Sequence, residues 1–291
     1  MNPYRTFLDE LVRLVKDGKD LPLGGFEPLP HKEPASNAPK VLIFSPHPDD
    51  EVIIGGLPLR MSRELNFRII NVAVTQGSNP QRQAARWKEL QNCCEHIGFD
   101  LIQTRRNGLE HVNLRSRENQ PESWDVSVKR IAEILGAEQP HSIFFPHDDD
   151  WNGTHIGTHH LVVDALKLLG PKFECLTVET EFWGAMDDPN LMVESSVQDV
   201  TDLITALTFH VGEVRRNPYH LLLAGWLMDN VRRGGELVGG QGGAAPDFTF
   251  ATLYRLRRWK NQLFQNVWDS GRFLSSRESV ASLFADGVPR A

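Results

Sequence analysis

The chain is predicted to be an α/β protein, Rossmann-like, with a mostly parallel sheet and helices on both faces. Three observations predict it: short apolar runs rich in β-preferring residues, helical periodicity between those runs, and chemically loaded polar segments just after them. In open sheets of this kind ligands gather at the carboxyl ends of the strands, so the third observation also predicts where a site lies.

The elements follow in order. Phe7, Leu11, Leu14 and Val15 recur at helical spacing, which predicts an amphipathic first helix packed on the main body as an appendage. Leu21 to Pro39 is rich in Pro and Gly and reads as an irregular connector. Residues 1–39 are therefore expected to precede a single domain, 40–291, whose part from about 211 to 291 is a Gly-rich extension. The run Lys40 to Ser45 suits a buried parallel strand ended by Pro46. A second run, Phe67 to Val74, ends at Thr75-Gln76-Gly77-Ser78, and Val52 to Leu65 between the two is predicted to form the crossover helix of a βαβ unit. Arg82 to Ile97 has helical periodicity with Gly98 as its stop. A strand near Leu101 to Gln103, a helix over Val126 to Leu135, a strand at Ser142 to Phe145, a helix from Leu161 to Leu169 and a strand at Leu176 to Thr180 continue the alternation. One long helical stretch is predicted from Val197 to Val214. Beyond it the text, including the Gly-rich Arg232 to Gly243, has no clear period.

Composition excludes several classes. With 291 residues, 40% hydrophobic and 24% charged, the chain can bury a sizeable core and is not expected to be disordered. A formal charge of −7 provides no global basic surface for nucleic acid. The N-terminal residues carry no uninterrupted apolar leader, and no stretch approaches the length of a membrane span, so neither is expected. Cys93, Cys94 and Cys175 cannot all pair with one another, and a reducing cytoplasm is the expected location. The expected partner is a small molecule, with homo-oligomerisation left open.

The chemistry concentrates in Ser45-Pro46-His47-Pro48-Asp49-Asp50-Glu51, an imidazole and three carboxylates on a turn between strand and helix. Buried charges near a sheet need partners or a metal. His47 and Asp50, three apart on a tight turn, can converge on one ion while Asp49 points elsewhere and accepts a proton. Nitrogen and oxygen ligands with an open position are the pattern of catalytic zinc. The alternative is that the carboxylates simply begin a helix, where they interact well with its dipole. A further ligand must come from another strand end, and the segment Pro146 to His160 follows the run at Ser142 to Phe145 with several candidates. His155 and His159, four apart, would share a helical face, although any one of these histidines could be a surface or capping residue.

His47-Pro48-Asp49-Asp50-Glu51 after an apolar strand, with the distal histidine segment, resembles the PIG-L/LmbE family of zinc-dependent N-deacetylases, which act on N-acetylglucosamine-type substrates and related amides. The resemblance implies that His47 and Asp50 are zinc ligands and Asp49 the general base. Aligned on the following helix, Asn152-Gly153-Thr154-His155 takes the place of the family's His-Pro-Asp-His, which implies His155 as third ligand. Asn152 then stands where the family has a histidine that assists the oxyanion; an amide can donate a hydrogen bond there but not a proton. His159, His147 or Asp150 could compensate. Arg86, in Arg86-Trp87-Lys88-Glu89, corresponds to a family arginine that reaches substrate, and is equally an ordinary helix salt-bridge residue. Trp183 could wall a sugar pocket or serve core packing, and His159 is a further candidate at the substrate. His210 falls near a histidine in the family's late helix.

The resemblance implies a hydrolase dependent on zinc, or on another divalent metal, that removes an N-acetyl or similar acyl group from an amino-sugar-type substrate such as an N-acetylglucosaminide. Two rival readings are a catalytically degenerate metal-binding member and a non-hydrolytic Rossmann-like ligand-binding protein. Against the second rival, no G-x-G-x-x-G follows the first strand; Gly55-Gly56 come later, behind the acidic cluster.

Overall fold

The computed structural model describes residues 2–284. Its frame is a sheet of the strands β1 (Lys40–Ser45), β2 (Arg68–Ala73), β3 (Asp100–Gln103), β4 (Ser142–Pro146), β5 (Cys175–Thr180), β6 (Leu191–Ser195), β7 (Phe250–Lys260), β8 (Leu263–Asn266) and β9 (Arg272–Leu274), in the order β3-β2-β1-β4-β5-β7-β6-β9, with β8 paired to β7. Strands β1 to β5 are parallel, each fully or largely buried except β3 at the edge. Apolar residues on alternate sides of these strands build two cores. One, on Val41 and Ile43, is covered by α3 (Gly56–Leu65), α4 (Pro80–Ile97) and α8 (Val197–Leu207); the other, on Leu42 and Phe44, by α6 (Pro121–Glu138) and α7 (Gly153–Leu168). The mostly parallel sheet with helices on both faces is thus as expected. Among the described residues no helix is long and apolar enough to cross a membrane.

Strand order reverses at β1, whose neighbours β2 and β4 continue in opposite directions. The crevice beyond the carboxyl ends of β1 and β4 is therefore the topological switch point where open α/β sheets bind ligands.

Four expectations change. The helix α1 (Pro3–Gly18) forms, but its apolar stripe does not pack: Tyr4, Phe7, Leu8, Leu11, Val12 and Leu14 are exposed, and only Gly18 is buried, against Leu221. The crossover helix is divided into α2 (Asp50–Ile53) and α3, because Gly55 adopts φ +84° and its α-carbon sits so close to β7 that a Cβ would lie 1.9 Å from Thr252 Oγ1. The long late helix is likewise interrupted: α8 begins with a Ser196/Asp199 capping box and ends at Thr208, and α9 (Val211–Arg216) starts after His210, which is drawn toward Glu51.

The fourth concerns residues 211–291, expected as a Gly-rich extension. They supply α10 (Leu223–Leu237) and, beyond β6 (Leu191–Ser195), the strands β7 (Phe250–Lys260), β8 (Leu263–Asn266) and β9 (Arg272–Leu274) of the same sheet. Strand β7 runs antiparallel between β5 and β6. Its pattern is obscured in sequence by Arg255, Arg257 and Arg258. Arg255 and Arg257 are inward cations: both pair with Glu179 of β5, fully buried, through Arg255 Nη2 at 2.6 Å from Oε1 and a close contact of Arg257 with Oε2. A buried carboxylate on one strand demands a cation on the next.

Candidate active site

The turn after β1 carries His47, Asp49 and Asp50, and the N-terminal turn of α7 carries His155. They meet across the switch point. His47 Nδ1, Asp50 Oδ2 and His155 Nε2 form a triangle with edges of 3.4 Å (His47 to Asp50), 3.3 Å (Asp50 to His155) and 3.2 Å (His47 to His155). Zinc bonds of 2.0–2.2 Å in a tetrahedron require ligand separations of about 3.3 to 3.6 Å, so the donor set, at 3.2–3.4 Å, is close to what such an ion needs. Two other groups of ligand-type residues lie close together among the described residues, Glu51 with Cys93 and His210, and Asp148 with His159 and Glu179. In both, cationic or proton-bearing side chains already face the carboxylates, His210 in the first and Arg255 and Arg257 in the second.

Charge in the triad agrees with its geometry. Burial disfavours a charged His155, yet Asp50 and Asp150 outweigh it and raise its pKa to about 10. Asp50, although buried, is held well below the carboxylate range by His155 and His47. The positive charge these carboxylates call for is what a divalent cation supplies. On its far side His155 Nδ1 faces Asp150 Oδ2 at 3.5 Å, an outer carboxylate that orients the ring so that Nε2 is available to a metal.

Asp49 points into the adjoining cavity. Its backbone is left-handed (φ 110°), a conformation that costs a non-glycine residue about 1–3 kcal/mol. Glu51 offsets that strain by accepting the Asp49 N–H at 2.9 Å, and Glu51 is itself held by His210 Nε2 at 2.6 Å, both side chains fully buried. The Asp49 carboxylate accepts a 2.6 Å hydrogen bond from the Tyr219 hydroxyl and lies 3.9 Å from Arg86 Nη2. Burial, then the neighbouring Asp50, push its pKa up to about 7 against the pull of His210, Arg86 and Tyr219; a cation on the triad would draw it down again.

The cavity has a volume of about 390 Å³, within the range of small-molecule sites. His47, Asp49, Asp50 and Asn152 line it. So do Arg82, Arg86, Glu213 and Arg216, the neutral Gln76, Ser78, Asn79 and Asn217, and Trp183 with Tyr219, whose rings are in edge-to-face contact at 5.9 Å. Asn152 caps α7, its carbonyl accepting from Thr154 N at 2.9 Å, which leaves its NH₂ as the donor group. Asp150 anchors the Trp183 loop by accepting from Trp183 N (3.1 Å) and Gly184 N (3.2 Å). Arg86 Nη2 donates to Pro48 O at 2.9 Å, tying α4 to the Asp49 turn.

His159 is not brought to this cavity. One helical turn beyond His155, it is carried about 6 Å along the axis to a buried position where Nδ1 bonds Pro146 O at 3.0 Å and faces Glu179. His147 is also directed elsewhere, to Gly184 O at 2.9 Å. Sequence reasoning missed Tyr219, Glu213, Arg216 and Arg82. Tyr219 sits in a short 3-10 turn (Tyr219–Leu221) with no periodic signal of its own; the Arg82/Arg86 and Glu213/Arg216 spacings, four and three residues, were legible only as ordinary helix faces.

Residues 42–166 match the PIG-L family profile, described as GlcNAc-PI de-N-acetylase. No curated protein matches the chain. The fold is similar to that of N,N'-diacetylchitobiose deacetylase from Pyrococcus horikoshii (TM-score 0.56, 18% identity, 86% of this chain and 92% of that one). It is also similar to a deacetylase of the teicoplanin biosynthesis pathway (TM-score 0.52, 14% identity, 79% and 100%) and to GalB, a 4-carboxy-2-hydroxymuconate hydratase from Pseudomonas putida (TM-score 0.54, 15% identity, 75% and 95%). At these identities the likeness is one of fold, and a hydratase among the neighbours shows that the fold alone does not set the reaction. The match to the PIG-L profile spans residues 42–166, a segment that includes both strand ends that carry the triad, and over that segment the chain is similar to the family described as GlcNAc-PI de-N-acetylase.

Proposed function

We propose that the chain is a zinc-dependent N-deacetylase that releases acetate, or a similar small acyl group, from an N-acylated amino sugar. The observation that carries this reading is the 3.2–3.4 Å triangle of His47, Asp50 and His155 beside an independently held carboxylate, Asp49, facing the same cavity. When bound, zinc supplies a Lewis acid that lowers the pKa of a water and polarises the amide carbonyl. Asp49 takes the proton from the attacking water, kept on line by Tyr219 and by its fixed backbone. The Asn152 NH₂ donates to the oxygen on which negative charge develops. Asp49 then returns its proton to the departing amine, so no separate acid is required where Asn152 replaces a histidine. Trp183 offers a face to the sugar ring and Arg86 orients both Asp49 and the ligand. The three buried cysteines, unpaired, support a reducing compartment such as the cytoplasm.

The test is metal analysis and product release on the same preparation. One zinc per chain, with acetate and free amine formed from N-acetylglucosamine or its glycosides and abolished by a chelator, is the expected result. Bound zinc without acetate from any such amide would favour a metal-binding member that no longer catalyses, a reading that Asn152 supports. Protein that binds no zinc, with or without turnover, removes the reading altogether.

A further inference from the structure

Helix α1 is held to the rest of the chain by its last turn. Gly18 is buried against Leu221 and Val15 is half-buried, while Tyr4, Phe7, Leu8, Leu11, Val12 and Leu14 are exposed, Phe7 at 64% and Val12 at 67%. At about 100° per residue these side chains fall on one stripe roughly 160° wide, as wide as that of a helix set into a core. Past the helix end the apolar surface continues onto Leu21 and Leu222, both exposed. A helix of 16 residues owes most of its stability in water to the packing of its apolar face. The ion pairs of its polar side, Arg5 with Asp9 and Arg13 with Glu10 and Asp17, are open to solvent and contribute little. The stripe therefore calls for a cover.

Charge decides which cover fits. Glu10 and Asp17 lie along one flank of the stripe, and Arg5, Lys16 and Lys19 along the other, so the two flanks have opposite sign. When two such helices pair in parallel, each sets one flank against the opposite flank of its partner, and acid meets base on both sides of the seam. In an antiparallel pair like flanks meet. A bilayer surface fits less well, because an interfacial helix is rich in Lys and Arg on its polar face. Here Arg5, Arg13, Lys16 and Lys19 are matched by Asp9, Glu10, Asp17 and Asp20, on a chain of formal charge −7.

We propose that α1 is a dimerisation element whose stripe is covered by α1 of a second copy of this chain, the two helices lying parallel about a two-fold axis. Arg13, behind Glu10 and Asp17, holds both acids along their flank, where they face the basic flank of the other copy. Leu21 and Leu222 extend the contact from the helix to the body. No residue of α1 lines the Asp49 cavity, so this inference stands apart from the deacetylase reading.

The experiment is analytical sedimentation of the full chain at micromolar concentration, where a species of twice the chain mass of 32.9 kDa is expected. Phe7→Asp/Leu11→Asp places charge on two exposed positions of the stripe and should give a monomer whose body still unfolds cooperatively. Glu10→Lys/Asp17→Lys makes both flanks basic and should weaken self-association about tenfold or more at low salt, and less at high salt. Mixing it with Arg5→Glu/Lys16→Glu/Lys19→Glu, whose flanks are both acidic, should restore a dimer of one copy each, which a mere loss of helix would not allow. Tyr4→Cys reads direction: in a parallel pair the two copies of residue 4 meet and oxidise to a linked dimer, whereas in an antiparallel pair they lie about 20 Å apart. Cys93, Cys94 and Cys175 are buried and do not compete. A monomeric parent chain overturns the proposal, as does a dimer that persists in Phe7→Asp/Leu11→Asp, which would place the interface elsewhere. Linkage through Leu11→Cys with none through Tyr4→Cys overturns the parallel arrangement. A monomer that sediments with phosphatidylglycerol vesicles, and no longer does so in Phe7→Asp/Leu11→Asp, replaces the second copy with a membrane.

Discussion

The two halves of the molecule contribute different things to one cavity. Residues 42–166 bring the metal-type triad and Asp49 on rigid strand ends and a helix start, all within the parallel part of the sheet. Residues beyond 175 bring the opposite wall, with Trp183 on a loop, Tyr219 on a 3-10 turn, and Glu213 and Arg216 on a short helix. On the proposed function, the contrast teaches that the groups assigned to the reaction are held where the backbone is least free to move. The groups assigned to the ligand ride on loops and short elements, which can differ between relatives without disturbing the chemistry.

Four substitutions break or sharpen that division. Asp49→Asn, in the first half, is expected to retain stoichiometric zinc and lower kcat by about 10²–10⁴-fold, the contribution of a positioned general base. Near-normal turnover with zinc bound would move the chemistry out of this half. His210→Phe tests the place where the division is crossed, since this late residue holds Glu51 behind Asp49. Removing it leaves the Glu51 carboxylate buried without its partner and should cost about 3–5 kcal/mol of stability, read as a lowered denaturation midpoint. Glu51→Gln, which keeps an acceptor for Asp49 N–H but no charge, should cost less; equal losses would mean that charge is not what His210 compensates. Trp183→Ala, on the second wall, should reduce kcat/KM by roughly two- to tenfold, mostly through KM, as expected for one aromatic contact of about 0.5–1.5 kcal/mol. A fall confined to kcat would instead place Trp183 among the groups that act on the transition state.

Much of the first half was legible because its signals are local. Continuous apolar runs mark buried parallel strands, Gly98 adopts the left-handed conformation expected of a helix stop, and a histidine with carboxylates at a strand end has few inexpensive structural uses. The same logic failed for α1, where the periodicity was real but nothing among the described residues covers the stripe. It failed for β7 as well, because Arg255 and Arg257 read as surface until Glu179 is seen beside them. His159 shows the limit of spacing arguments: four residues place two histidines on one helical face, but the second lies a turn deeper and meets a different set of partners.

By itself the amino-acid sequence determined the alternation of strand and helix, the strand-end position of His47, Asp49 and Asp50, and a short list of histidines from which a third ligand could come. These follow from backbone periodicity and from the cost of leaving charge unpaired near a sheet, both properties of neighbouring residues. The resemblance pointed to His155 among them, but only the tertiary structure decided that His47, Asp50 and His155 form one triangle, that Tyr219 and the Glu51–His210 pair hold Asp49, and that three arginines converge on Glu213. Apart from His47 with Asp50, Arg216 with Glu213 and Glu51 with Asp49, which are two or three residues apart, those contacts join residues about 100 or more positions apart, and their geometry is set by strand order and helix packing that no local pattern encodes.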